Sequence, residues 1–465
     1  MSKKKYSFEP FEARMQDAGL PALAIRTFEH YYTLLAGGKT GMISENEIQP
    51  AADLPDADTF GEDLHERGQA VMHRAVSIKL NGGLGTSMGM TQAKSLLPVK
   101  DGLSFLEIAA QQAVQVKIPL ILMNSFITRT DSLNALKRFP ALRKSGLPLD
   151  FLQHKIPKVV QDDLSPARFS ADSELEWCPP GHGDIYTALV TSGMLDKLLG
   201  AGYEFAFISN ADNLGAVMDF AILGYFAQEK LPFMMEVADR TLADKKGGHL
   251  AKTLDGQLIL REIAQCPKDD LPEFQDITRH RYFNTNNLWV NLKALKDVLD
   301  VNENVLKLPL IRNAKTVNPR DPNSTPVYQL ETAMGAAIAV FPEAQALRVS
   351  RARFAPVKKT SDLLTIRSDA YMLTDDYRVV PNPESETTVV VDLDEEYYKL
   401  IDDLDERFPF GAPSMVACSS FRVRGDVLFE RDVVLRENVD VTVVGDGQAR
   451  IESGLILEGM IRLHE

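Results

Sequence analysis

The sequence predicts an α/β protein: a mainly parallel mixed sheet between helices, a helical segment before it and a parallel β-helix after it. Three observations carry this. Between about Ala75 and Phe341, short β-branched or aromatic runs (RAVSIKL, PLILMNS, YEFAFISNA, PFMMEVAD, NLWVNL) alternate with helical stretches, as strands buried on both faces do. Ahead of them, FEARMQDAGLPALAIRTFEHYYTLLAGGKTG spaces apolar residues by three or four and stops at Gly37 and Gly38, which predicts helix from Phe11 to about Ala52. Behind them lies an apolar repeat of six residues.

A chain of 465 residues exceeds one ordinary core, and the three patterns divide it into 1–70, 71–370 and 371–465. In the last, Phe421, Val427, Val433, Val439, Ile451, Leu457 and Leu463 share one register, broken only at Gly445; Val423, Phe429, Leu435 and Val441 lie two positions on. A hexad marks a β-helix whose coils bury their inward residues by stacking; a set of ordinary alternating strands is the plainer alternative. The exposed coil ends suit self-association into a homo-oligomer. Just before, DLDEEYYKLIDDLDERFP reads as a solvated helix.

The formal net charge of −14 opposes non-specific binding to nucleic acid or an anionic membrane, since both are polyanions. The opening MSKKKYSFEP leads into no apolar core of a signal, and KIPLILMNSF is too short to span a bilayer. Cys178, Cys266 and Cys418 lie too far apart for a structural zinc or disulfide pattern. Together these predict a cytoplasmic protein with reduced thiols.

In a parallel sheet, ligands sit at the carboxyl ends of strands, where NGGLG, NADN and ADKKGG fall. Gly82, Gly83 and Gly85 follow the strand SIKL and let backbone N–H groups approach an anion. The spacing is neither the Walker nor the dinucleotide pattern, and a purely structural turn fits the glycines too. Lys94, between Ala93 and Ser95 and just before Leu96 and Leu97, adds a cation worth roughly 4 kcal/mol to a phosphate about 4 Å away at an effective dielectric near 20, before desolvation. His182 and Asp184 in PPGHGDIY are possible ligands but make a poor zinc site. Asp212, in SNADNLGA at the end of a buried strand, suits Mg²⁺ held by one carboxylate plus substrate phosphates; a helix N-cap is the alternative.

KLNGGLGTSMGMTQAKSLLPVK resembles the signature loop of the eukaryotic-type UTP:glucose-1-phosphate uridylyltransferases, the UDP-glucose pyrophosphorylases. The likeness continues through QHKIPKV, WCPPGHGDIYTAL, FISNADNLGA, DKKGGHL, FNTNNLWVNL, QLETAMGAAI and FAPVKKTSDLL, covering essentially the whole chain. It implies a Rossmann-like nucleotidyltransferase domain, with the β-helix left-handed. It further implies that Leu80, Asn81, Gly82 and Gly83 contact the nucleotide, that Lys94 neutralises the triphosphate, and that Gln153 reads uracil beside the Gly181 backbone. His182, Asn210 and Asn286 would contact the sugar phosphate, with Glu262 at hydroxyls and Lys246 at phosphate. Lys358 would bring a second cation from beyond the main domain, and Asp212 would hold Mg²⁺. Gln92-Ala93 replaces a Gly-Pro pair common in the family, and Lys359 follows Lys358 where a threonine often stands; neither change removes a charge. The implied reaction is attack of glucose 1-phosphate on the α-phosphorus of UTP, giving UDP-glucose and pyrophosphate. The alternatives are a uridylyltransferase for N-acetylhexosamine or several sugar 1-phosphates, and a non-catalytic UDP-sugar-binding scaffold.

Overall fold

The computed structural model describes residues 6–385, 387–445 and 447–464; the basic opening and the terminal Glu465 lie outside them. The N-terminal periodicity forms two helices, α1 (Glu9–Asp17) and α2 (Ala22–Ala36), with Pro21 as the N-cap of the second. Pro21 ends the first periodic stretch because it cannot continue a helical hydrogen-bond ladder. The apolar face buries Phe11, Phe28 and Tyr32, and the Phe11 and Tyr32 rings lie 4.8 Å apart. Helix ends at Gly37, as read, but does not extend to Ala52: β1 (Ile48–Pro50) pairs with the central sheet instead. Past Gly38 no helical spacing remains to compete with that pairing.

The five apolar runs all form strands: β2 (Ala75–Asn81), β3 (Leu120–Asn124), β5 (Phe205–Asn210), β6 (Phe233–Asp239) and β9 (Tyr282–Asn291). With β4 (Asp150–Leu152), β7 (His249–Thr253), β8 (Leu258–Arg261) and β10 (Gln345–Arg348) they complete a ten-stranded sheet, ordered β1-β7-β9-β5-β2-β3-β4, with β6 bridging β9 and β10 and β8 beside β7. Its strands β5, β2, β3 and β4 are parallel. The other half is not mainly parallel, as the sequence suggested: β9 runs antiparallel to β5, β6 and β7. A strand buried on both faces has the same composition in either direction, so its apolar run does not record which way it points.

The parallel half places the carboxyl ends of β2 and β5 side by side, with Leu80 opposite Asn210. Helix Phe105–Val116 covers this sheet, started by a capping box between Ser104 and Glu107 worth about 1 kcal/mol.

After residue 389 the strands β11 (Val390–Leu393), β12 (Ser414–Arg424), β13 (Val434–Val444) and β14 (Ile456–His464) pair in parallel, in that order. Both hexad registers point inward: Phe421, Val427, Val439, Val423, Leu435 and Val441 are at most 1% exposed. Phe421 faces Val439 in register, and Val423 faces Val441. These residues share one core with Met88, Leu97, Val99 and Val357, so the C-terminal strands support the underside of the glycine loop.

The acidic segment is not a solvated helix. It forms two short helices, Glu395–Tyr398 and Ile401–Arg407, and buries Tyr398 and Leu404. The Tyr398 hydroxyl donates to Val427 O and accepts from Val427 N, both at 3.1 Å. Tyr398, Leu404 and Phe408 enter one apolar cluster while Leu400 stays exposed, so the charges between them do not prevent docking. All three cysteines are free and buried. Among the described residues no helix is long and apolar enough to cross a membrane.

Candidate active site

A cavity of about 340 Å³ opens where β2 and β5 end. One wall is the glycine loop, with Leu80, Asn81, Gly82, Gly83 and Lys94. The loop is closed on itself: Lys94 N donates to Gly83 O at 3.1 Å, and Leu84 bridges Ala93. Across from it stand Gln153, Gly181 and His182; Asn210 and Asp212 come from the end of β5.

The Lys94 ammonium donates to Asp212 Oδ2 at 2.6 Å, and both side chains are half-buried. The cation and the carboxylate, read from the sequence as separate features, therefore form a single pair. Gln153 is held from two sides. Its Nε2 donates to Gly181 O at 3.1 Å, while a Cβ on Gly82 would come within 2.8 Å of its Oε1. Gly181 has φ +79, and a Cβ there would meet Thr332 O at 2.4 Å, so only glycine fits.

His182 accepts a hydrogen bond from Met334 N through Nδ1 at 3.0 Å, which leaves its ring proton on Nε2. Burial pushes its imidazole down to about 4. At neutral pH it is an uncharged donor.

The family described as UTP--glucose-1-phosphate uridylyltransferase matches residues 25–436. The barley enzyme of that name is 39% identical over 436 residues, covering 90% of this chain and 89% of its own. The yeast enzyme is 40% identical over 398 residues, covering 83% and 77%. The chain belongs to this family. Among solved structures, a UDP-glucose pyrophosphorylase mutant from Leishmania major in complex with UDP-glucose superposes with a TM-score of 0.90 at 40% identity, covering 98% of this chain and 99% of that one. A UDP-glucose phosphorylase from Trypanosoma brucei is 44% identical, with a TM-score of 0.86, over 98% of this chain and 99% of that one.

In this family member, four of the residues singled out from sequence stand outside that cavity. Lys358 borders a neighbouring one of about 430 Å³ together with Ser87 and Met88, on the far side of the glycine loop. Its backbone N–H donates to Asp362 Oδ2 at 2.7 Å, and its ammonium lies 5.6 Å from the Phe354 ring. Asn286 sits at a bulge in β9 with φ +59, its N and Oδ1 both hydrogen-bonded to the Asn284 amide. Glu262 packs against Gly248, and burial pushes its carboxyl up to about 7. Lys246 is exposed in the turn before β7.

Asn81 lines the cavity, but both its amide hydrogens point elsewhere, to Asn124 Oδ1 at 2.7 Å and Ser132 Oγ at 2.8 Å. It ties β2 to β3 below the loop. Sequence reasoning did not assign two further groups. Asp184, weighed as a metal ligand, accepts from His154 N at 2.7 Å and lies 2.9 Å from His154 Nδ1, fixing the residue next to Gln153. Lys79 is buried inside β2 and donates to Ser209 Oγ and Ala216 O, both at 2.7 Å; burial pushes its amine down to about 7. A lysine between Ile78 and Leu80 in a buried strand was the available signal for that clamp.

Asp212 is the acidic side chain at this cavity. Among the described residues no three His, Cys, Asp or Glu side chains converge on a metal position. A single carboxylate facing an open cavity fits a hard divalent cation that takes its other ligands from a bound anion and water.

Proposed function

We infer that this chain transfers the uridylyl group of UTP to glucose 1-phosphate, giving UDP-glucose and pyrophosphate, in a reversible reaction. The observation that carries this reading is the Lys94–Asp212 pair facing Gln153 and Gly181 across one cavity, charge at one end and an amide at the other.

In this reading the sugar phosphate oxygen attacks the α-phosphorus of UTP in line, and no protein nucleophile is needed because that oxygen is already anionic. Gln153, with one N–H on Gly181 O, offers its remaining amide groups to the imide edge of uracil. Leu80, Asn81, Gly82 and Gly83 flank the base, ribose and phosphates. Lys94 exchanges its carboxylate partner for phosphate oxygens as negative charge gathers on the leaving pyrophosphate. Lys358 approaches the same phosphates from the neighbouring cavity, and Lys246 adds a third cation.

His182 donates from Nε2 to the sugar phosphate, with Asn210, Asn286 and Glu262 at the sugar hydroxyls. Asp212 would hold Mg²⁺, which supplies charge neutralisation at the leaving phosphates. Positioning and charge complementarity then account for the catalysis.

The three units 1–70, 71–370 and 371–465 belong to this reading, as does a cytoplasmic location. We read the C-terminal strands as a left-handed β-helix whose last strand, with Ile456 and Met460 exposed, is a face for self-association; light scattering of M460E against the parent chain tests it.

The deciding assay is pyrophosphorolysis: UDP-glucose, Mg²⁺ and pyrophosphate should yield UTP and glucose 1-phosphate. UDP-glucose binding without exchange would instead indicate a scaffold. A panel of sugar 1-phosphates with UTP should single out glucose, and equal rates for N-acetylhexosamine phosphates would overturn that part.

A further inference from the structure

The two segments that carry Asp212 and Lys358 are joined by one buried side chain. Asn213 follows Asp212 directly and is 5% exposed. Its Oδ1 accepts from Gly215 N at 3.1 Å and from Ala355 N at 2.9 Å. Its Nδ2 donates to Asn287 Oδ1 at 3.2 Å and to Arg353 O at 3.1 Å. One amide thus closes its own loop with one bond and reaches across to the other segment with two. Asn213 also forms an isolated antiparallel bridge with Pro356, two residues before Lys358.

Two further observations show that this junction is built tightly. A Cβ on Gly215 would fall 2.3 Å from Ala352 O, so the two backbones touch. Beneath them, the fully buried Glu236 receives Arg353 Nε and one terminal nitrogen at 2.7 Å each, Asn287 Nδ2 at 2.9 Å and Trp289 Nε1 at 2.9 Å. Arg353 is therefore anchored to β6, while its carbonyl oxygen accepts from Asn213 and Asn287. Satisfied buried networks of this kind hold a single geometry, because any slippage leaves a desolvated polar group unpaired.

We propose that Asn213 is a positioning residue that sets the distance between Asp212 and Lys358. It latches the chain at Ala355 so that the lysine can approach only along the path the latch allows. The inference rests on the reading above, in which both residues act at the phosphates. Asn213 touches no substrate in this scheme; it acts through the Ala355–Lys358 segment.

A double-mutant cycle with an exchange measurement tests this. N213A should remain folded by a cooperative melt, lose roughly 10- to 100-fold in kcat, raise KM for pyrophosphate and leave KM for UDP-glucose little changed. In a K358A background the same substitution should cost almost nothing more, since coupled groups are non-additive. The Ala355 amide should exchange with deuterium faster in N213A. A full additional loss in the K358A background, or no loss in N213A alone, overturns the proposal. If N213A does not fold, N213D, which keeps the acceptor for Ala355 N, takes its place: it should retain the slow exchange at Ala355, and fast exchange there overturns the latch. If K358A itself turns over normally, the role of Lys358 fails separately, and unchanged exchange at Ala355 in N213A then overturns the latch.

Discussion

Lys94 Nζ and Asp212 Oδ2 lie 2.6 Å apart, a contact between two loops 118 residues distant in the chain. The pair is half-buried on both sides, which limits its worth to stability to about 1 kcal/mol while leaving it open to a ligand. K94A should therefore fold like the parent chain and lose turnover by about 100-fold or more. D212N should lose comparable activity, and the double variant little beyond either single one, because in the reading proposed above the two groups serve the same phosphates. Pyrophosphorolysis rates alongside thermal melts check this; full activity in K94A would remove its role.

Gly82 abuts the amide that we assign to uracil. A Cβ added there would stand 2.8 Å from Gln153 Oε1, so G82A should displace Gln153 without touching the core. The expected result is a raised KM for UTP, with KM for glucose 1-phosphate and the melting temperature near those of the parent. Equal effects on both substrates would mean that the glycine serves the loop's conformation rather than the base.

The pH dependence of stability contains two opposing contributions, one from His182 in the cavity and one from Glu262 outside it. The imidazole of His182 is pushed down to about 4 by burial, below its ordinary value near 6.5. Between those values the unfolded chain binds more protons, so this contribution is complete above about pH 6.5 and is lost as pH falls toward 4. The carboxyl of Glu262 is pushed up to about 7, so its contribution is complete below about pH 4.5 and is lost as pH rises through 7. E262Q should consequently gain stability relative to the parent above pH 7, and H182N should flatten the loss on the acid side. Denaturant midpoints from pH 4 to 8 measure both; an E262Q difference that does not grow with pH would contradict the assignment.

The C-terminal core should respond as part of the catalytic core. Phe421 is fully buried and T-shaped against Phe429 at 5.6 Å, in the cluster that includes Met88 and Val357. F421A should cost about 3–5 kcal/mol and raise KM for UTP as the glycine loop loses its support. M460A, at a residue 85% exposed, should change neither. Chemical denaturation followed by tryptophan fluorescence and by activity distinguishes a shared core from separate units: the two probes should move together in F421A.

Much of the fold was legible before any coordinate. Each apolar run became a strand, α2 ended where two glycines stand, and the hexad residues turned inward in both registers. Gly82, Lys94 and Asp212 were nameable from their motifs and Gln153 from the family resemblance, and all four line one cavity. What escaped was relational. The direction of β9, the inward turn of the Asn81 amide, the docking of the acidic segment through Tyr398 and the neutral state of His182 leave no trace in local composition.

Sequence by itself determined which residues partition away from water, where helices stop, and which charges and glycines the chain can bring to a site. Those properties belong to a residue and its near neighbours, so period and residue type express them directly. Tertiary structure alone decided that Lys94 meets Asp212, that Asp184 holds His154, and that Asn213 joins the segments of Asp212 and Lys358. Each of those bonds depends on groups far apart in the chain, whose geometry and desolvation exist only after the sheet has closed around them.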